Sequence, residues 1–328
     1  MIKDTFNRAH NYLRISLTER CNLRCFYCMP EEGVPLRPKP EFMTTEETIA
    51  IAKTFVNLGV NKIRITGGEP LIKKDIVSIL KQLADLKVEL HLTSNGILVD
   101  KYISLFQTIG LKQINISLDS LNEQKFNNIS KRKYFTRIVE NIDLLISQKF
   151  EVKINVVLMK QINSDEIIDF IEWTKHKPIS VRFIEFMPFD GNQWDTSKVV
   201  SYDEILDKVQ NHFSFQSILP IPGTINDTSK NFKISHYKGD FGIISSVTNP
   251  FCDGCNRLRL TADGKLKNCL FSAKETDLLT AYRKQEDLAP LICKSILLKE
   301  KSRAGIDNFS NENIALFEKN RNMTSIGG

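Results

Sequence analysis

Apolar and polar positions in the first two thirds of the chain follow two alternating rhythms. Short runs rich in β-branched residues, at 12–17, 61–66, 88–93, 113–118, 152–159 and 180–186, read as strands. Between and after them, segments 45–58, 74–86, 101–109, 135–148, 165–176 and 202–212 carry helical spacing. Thr44-Thr45-Glu46-Glu47 adds a capping box at the start of the first helix. This alternation predicts repeated βα units around a parallel sheet. Six such units fit a doubly wound sheet or an open, incomplete version of the eight-stranded barrel equally well.

Beyond residue 220 the rhythm changes to short strands at 232–237, 242–247, 257–261 and 266–271. The last two are joined by Ala262-Asp263-Gly264, a strong hairpin signal. Pro220-Ile221-Pro222-Gly223 has the composition of a linker, so the expected division is 1–219 and 220–328, with helices resuming from Thr276.

Hydrophobic residues make up 41% and charged residues 26% of the 328, with 15 Gly and 11 Pro, which excludes disordered, collagenous and low-complexity chains. A formal charge of +6 suits an anionic small molecule as well as a nucleic acid. The opening residues hold no apolar leader and no eighteen uncharged apolar residues follow one another, so a cytoplasmic chain without a membrane span is expected. Of seven cysteines, six fall into two tight groups, a distribution that suits metal ligation in a reducing compartment better than a disulfide framework.

Cys21-Asn22-Leu23-Arg24-Cys25-Phe26-Tyr27-Cys28 follows the first predicted strand, at the end where parallel α/β folds place their sites. Buried thiols or a zinc site would account for it, but structural zinc closes four ligands and the local count is three. Three thiolates on a four-iron cluster leave one iron for a substrate or cofactor. Thr66-Gly67-Gly68-Glu69-Pro70 ends the second strand; as a plain turn it needs no function, yet its glycines permit close approach of a ligand and Glu69 can meet an ammonium. Ser117 and Met187 stand at or just past the ends of the fourth and sixth strands.

Cys252-Asp253-Gly254-Cys255 and Cys269 supply three more thiols. With His236 or Cys293 as a fourth ligand they would make a zinc ribbon; beside the first set they suit a second iron–sulfur cluster. Arg257 and Arg259 alternate onto one strand face, which is either simply solvated or a clamp for phosphate oxygens. Arg14, Arg64 and Lys153 fall within predicted barrel strands, where unpaired cations are costly, so an anionic ligand is expected there.

The Cys-x₃-Cys-x₂-Cys segment with an aromatic before its last cysteine resembles the signature of the radical S-adenosylmethionine superfamily. That resemblance implies an incomplete (βα)6 TIM-like barrel, here with a C-terminal antiparallel β and helical extension that closes the barrel. It also implies an open iron chelated by S-adenosylmethionine, whose cleavage gives a 5′-deoxyadenosyl radical.

Residues 12–21, 63–70, 114–119 and 181–187, the Cys252 segment and the terminal Gly327-Gly328 together resemble one branch, the GTP 3′,8-cyclase family of molybdenum cofactor biosynthesis. In that family the radical takes the ribose 3′ hydrogen of GTP and the carbon radical attacks C8 of guanine. The resemblance assigns Cys21, Cys25 and Cys28 to one 4Fe-4S cluster and Cys252, Cys255 and Cys269 to a second, whose open iron meets the guanine. It assigns Tyr27, Gly67, Gly68, Glu69, Ser117 and Met187 to S-adenosylmethionine, and Arg14, Arg64, Thr93, Lys153, Arg257 and Arg259 to GTP. Arg257, Arg259, Gly327 and Gly328 are expected to serve catalysis.

Two departures from the family are Ser94 after Thr93, where a second threonine is common, and Leu258, where a smaller residue is often found. Expected partners are GTP, an external low-potential electron donor and a cyclic pyranopterin monophosphate synthase that takes the product, with a homodimer left open and neither nucleic acid nor membrane. A peptide-modifying radical enzyme with an auxiliary cluster would use both cysteine sets but not the barrel cations. A zinc-containing nucleic-acid-binding protein would suit the sequence pI of about 8.8.

Overall fold

The computed structural model describes residues 2–29, 37–313 and 320–327. Among these, strands β1 (Tyr12–Ser16), β2 (Lys62–Thr66), β3 (Glu89–Ser94), β4 (Gln113–Ser117), β5 (Glu151–Leu158) and β6 (Ile179–Glu185) lie side by side in chain order, each parallel to the next. They are the six predicted strands. Helices α1 (Thr45–Asn57), α2 (Ile76–Asp85), α3 (Ile103–Thr108), α4 (Glu123–Ser130), α5 (Phe135–Ser147), α6 (Ile167–Trp173) and α7 (Tyr202–His212) fill the crossovers and follow β6. The capping box at α1 is formed: Glu47 N–H donates to Thr44 Oγ1 at 3.2 Å and Thr44 N–H to Glu47 Oε2 at 2.8 Å. Helix α4 went unpredicted because few apolar residues mark it; the Asn122 side chain caps it by accepting from Lys125 N–H.

Strands β7 (Ile218–Ile221), β8 (Lys230–Ile234), β9 (Asp240–Ile244), β10 (Arg257–Leu260), β11 (Lys265–Lys267) and β12 (Thr276–Asp277) extend the same sheet at both edges. Strand β9 runs parallel beside β6, with β8 and β7 antiparallel beyond it. Strand β10 runs parallel beside β1, followed by antiparallel β11 and β12. The expected linker around Pro220 is thus partly edge strand, a place that tolerates proline because an outward N–H is not needed. The predicted strand 266–271 ends at Lys267, whose fully buried ammonium bonds the Ser272 carbonyl and turns the chain toward Cys269. At Thr276 the chain enters β12; helix α8 (Leu278–Arg283) starts two residues later, where Asp277 accepts from Thr280 N–H. Helix α9 (Leu288–Leu297) follows.

Alternation divides the sheet into two chemistries. Leu13, Ile15, Ile63, Ile65, Leu92, Ile114, Ile154 and Val181 are buried in one core with Ile51, Phe55, Ile79 and Ile142 of the helices. The opposite face is polar and in register. Thr93, Asn115, Lys153, Ser180 and Asp240 align across five strands, and Arg14 pairs with both Arg64 and Arg259. A sheet whose second face carries rows of cations and amides needs a polar occupant over that face.

Candidate active site

The two cysteine sets converge on one cavity of about 270 Å³, lined by Cys21, Cys25 and Cys28 from the loop after β1 and by Cys252, Cys255 and Cys269. All are free thiols. Among the described residues no three His, Cys, Asp or Glu are drawn close enough to hold a single ion. Each set brings three thiols to the cavity, one short of the four ligands that a structural zinc site closes. Two open sets of three sulfur donors facing one space fit iron–sulfur clusters with one position left free.

Local backbone contacts shape the first set. Leu23 N–H donates to Cys21 Sγ at 3.4 Å, and Cys28 and Met29 N–H groups donate to the Cys25 carbonyl at 3.0 and 3.1 Å. Burial pushes the Cys21 thiol up to about 11 and raises Cys25 and Cys28 well above the usual thiol range, with neighbouring thiols and Asp119 adding to the effect for those two. Ionised thiolates here need bound positive charge. In the second set burial raises Cys269 as well, but at Cys255 it is outweighed by Arg257 and Lys299, which hold that thiol at about 6.

Gly67 and Gly68 line the cavity and also seat the first cysteine loop. Gly68 N–H donates to the Thr18 carbonyl at 2.7 Å and Glu69 N–H to that of Arg20 at 2.8 Å. A Cβ at Gly68 would lie 2.3 Å from the Arg20 oxygen, so no side chain fits. Glu69 does not face the cavity. Its wholly buried carboxylate accepts from Leu71 N–H at 3.0 Å, Ser94 Oγ at 3.0 Å and Asn95 N–H at 2.7 Å, and burial raises it to about 7 despite those donors. Asn95 in turn donates to Cys21 Sγ at 3.7 Å and Asn22 Oδ1 at 2.6 Å. The residue expected to meet a ligand ammonium instead braces the loop that holds Cys21. Tyr27, Ser117 and Met187 all line the cavity, and Tyr27 donates its hydroxyl to Asp119 at 2.6 Å.

A second, more polar cavity of about 390 Å³ shares Arg14, Arg182, Thr228 and Arg257 with the first and adds Arg64 and Lys153. Arg14 and Arg182 each leave a buried Nε without a partner, and Asn115 and Asn155 each leave a buried Oδ1. Burial brings Arg182 down to about 10, with Arg64 contributing, and Lys153 down to about 8, with Arg182 and Arg64 contributing. Burial would raise the Tyr12 phenol, but Arg14 and Arg64 outweigh it and lower it to about 7. This crowd of cations, faced in the cavity by Glu89 and Asp227, lacks a sufficient counter-charge of its own. Thr93 and Arg259 line the first cavity, whereas Leu258 lies in the core.

Gly327 reaches the same place from the chain's far end. Its carbonyl accepts from Arg259 Nη1 at 2.6 Å, and Ile326 beside it is buried. Gly328 lies outside the described residues. Sequence reasoning missed Arg182, Asn155 and Asp119; the first two were readable from the strict alternation of β5 and β6, where Asn155 pairs with Arg182.

Residues 15–174 match the radical SAM superfamily model and residues 179–304 the Molybdenum Cofactor Synthesis C model. The chain is 46% identical to the mitochondrial GTP 3′,8-cyclase of Arabidopsis thaliana, over 100% of this chain and 84% of that protein. It is 44% identical to GTP 3′,8-cyclase of Thermodesulfovibrio yellowstonii, over 91% of this chain and 94% of that protein. Against molybdenum cofactor biosynthesis protein 1 of Drosophila melanogaster, identity is 46% over 92% of this chain, which spans only 54% of that relative. A crystal structure of Streptococcus suis SuiB bound to S-adenosylmethionine shares the fold, with a TM-score of 0.61 at 15% identity over 94% of this chain and 72% of the other. The chain belongs to the radical S-adenosylmethionine superfamily and, within it, to the GTP 3′,8-cyclase family of molybdenum cofactor biosynthesis.

Proposed function

We propose that this chain is a GTP 3′,8-cyclase that converts GTP to (8S)-3′,8-cyclo-7,8-dihydroguanosine 5′-triphosphate in the first step of molybdenum cofactor synthesis. The observation that carries the reading is one cavity with a three-thiol set from each end of the chain, adjoining a second cavity walled by Arg14, Arg64, Lys153, Arg182 and Arg257. The parallel strands act as an incomplete (βα)6 barrel whose polar face is the lumen, with residues 220–328 supplying the auxiliary cluster and part of the GTP site.

Cys21, Cys25 and Cys28 would hold one 4Fe-4S cluster, with Tyr27, Gly67, Gly68, Ser117 and Met187 around S-adenosylmethionine. Bound there, the pair supplies a 5′-deoxyadenosyl radical. Cys252, Cys255 and Cys269 would hold the second cluster, facing the guanine. Arg257 and Arg259 project from one face of β10, and the arginines and lysine of the second cavity neutralise the triphosphate. An external low-potential donor provides electrons, the product passes to a cyclic pyranopterin monophosphate synthase, and the chain works in the cytoplasm. Among the described residues no helix is long and apolar enough to cross a membrane. A peptide substrate would leave the cation-lined cavity without a counter-charge.

Cys255→Ala tests the division of labour. Substrate-independent cleavage of S-adenosylmethionine should persist while cyclised product falls to background; product at normal yield would exclude the second set from the reaction. Arg257→Ala removes a charge-assisted contact worth about 1.5–3 kcal/mol, weakening GTP about tenfold to a hundredfold and guanosine far less. Equal losses for both ligands, measured by anaerobic calorimetry, would place Arg257 in assembly of the site.

Affinity should also depend on pH, because the triphosphate binds the protonated form of Lys153, at about 8 in the free protein, and disfavours a Tyr12 phenolate, which forms near 7. Each deprotonation weakens binding, by up to about tenfold per pH unit above the relevant value. Binding isotherms from pH 6 to 9 should decline in the wild type; Tyr12→Phe should remove the lower part of the decline and Lys153→Arg the upper part. A flat wild-type profile would remove both groups from the phosphate site.

A further inference from the structure

We propose that Lys299, held in place by an N-terminal clamp, joins Arg257 in supplying counter-charge to the centre at Cys252, Cys255 and Cys269 and raises its reduction potential. This rests on the two-cluster reading. Lys299 lies just past α9 and is 4% exposed. Its ammonium donates to Cys255 Sγ at 3.3 Å and to the Arg257 carbonyl at 3.0 Å, and neither partner is a carboxylate.

The clamp that fixes this geometry comes from residues 2–10. Arg8, itself buried, donates to the carbonyls of Cys252 at 2.9 Å, Glu300 at 2.8 Å and Lys301 at 2.6 Å, so it ties the second cysteine loop to the segment carrying Lys299. Asp4 holds Arg8 Nε at 2.6 Å and lies 3.1 Å from His10 Nε2, closing the array. One carboxylate thus stands against the buried cations Arg8 and Lys299, and three sulfur ligands supply the missing negative charge.

Among the described residues no ammonium donates to a sulfur of the first set: the donors to Cys21 Sγ are the Leu23 N–H and the neutral Asn95 amide, while the nearby Arg24 guanidinium bonds the Cys21 and Leu23 carbonyls instead. An ammonium against a cluster sulfur favours the more negative, reduced state, because net charge and hydrogen bonds to sulfur set the potential of such centres. Two clusters facing one cavity are therefore held at different potentials by their protein surroundings, the second the easier to reduce.

The test uses the full-length chain with Cys21, Cys25 and Cys28 replaced by Ala, so that only the second set retains iron, titrated potentiometrically with detection by electron paramagnetic resonance. Lys299→Met should disfavour reduction at least tenfold, a shift of about 59 mV to more negative potential for a one-electron couple, while Lys299→Arg stays close to the parent. Loss of iron from the Met variant with retention in the Arg variant would equally support a counter-charge. An unchanged potential in a fully loaded Met variant, or loss of iron from both variants, would overturn the proposal in favour of simple packing. A parent protein that binds no iron would refute the two-cluster reading, and this inference with it.

Discussion

Cys25→Ala should abolish reductive cleavage of S-adenosylmethionine. Cys25 is the middle cysteine of its set, and its carbonyl receives the Cys28 and Met29 N–H groups that shape the turn. Those backbone bonds survive the substitution, so the loop should keep its path and lose one of three sulfur donors. Burial and neighbouring anions raise this thiol well above its usual range, so its ionised form depends on bound iron, and a two-thiolate remnant should release the cluster or hold it only partly. Asn95→Ala removes the amide contacts to Cys21 Sγ and Asn22 Oδ1 and the acceptor for Ile97 N–H but no sulfur donor, and should reduce iron content far less. Anaerobic assays of 5′-deoxyadenosine beside iron and sulfide analysis check both. Undiminished 5′-deoxyadenosine from Cys25→Ala would end the radical assignment.

The parallel strands were legible because their apolar positions are β-branched, bounded by turn residues and spaced by helical segments, so each predicted boundary falls within one residue of the observed one. The cysteine sets were legible for a different reason: thiols at such spacing have few uses. What sequence did not reveal was direction. Glu69 sits beside two glycines at a strand end, yet it points into the neighbouring loop, where Ser94 and Asn95 satisfy it; spacing along one strand carries no information about the loop beside it. Arg182 shows the converse. Its alternation on β6 was visible, but only pairing with Asn155 on β5 places it on the same polar face as Lys153. Lys267 is harder still, since a fully buried lysine is explained only by Ser272 and Glu275 folding back onto it and Asn320 reaching it from 53 residues away.

Truncation after Ile326 should leave both clusters and substrate-independent 5′-deoxyadenosine formation largely intact while stopping cyclisation after GTP binds. Residues 320–327 are anchored before they enter the site. Arg321 pairs with Asp263 at 2.8 and 2.9 Å and with Glu275 at 2.6 Å, and Asn320 bonds Lys267 Nζ at 2.8 Å and the Leu270 carbonyl at 2.9 Å. Beyond this anchor Asn322 accepts from Ser325 N–H, capping the short helix Met323–Ile326, and the chain then turns at Gly327 with φ of +84° to give its carbonyl to Arg259. No other residue suits that position: a Cβ would stand 2.9 Å from Thr66 Cγ2 and 3.0 Å from Ser16 Cβ, on a backbone conformation that L side chains rarely adopt. Gly327→Ala should therefore expel the tip and reproduce the truncation, whereas Arg321→Ala, which loosens the anchor and leaves the tip chemically intact, should lower cyclisation less. Cluster content, cofactor cleavage and cyclic product measured in parallel distinguish these cases. Full product formation by the Gly327→Ala protein would show that the contact with Arg259 is dispensable for ring closure.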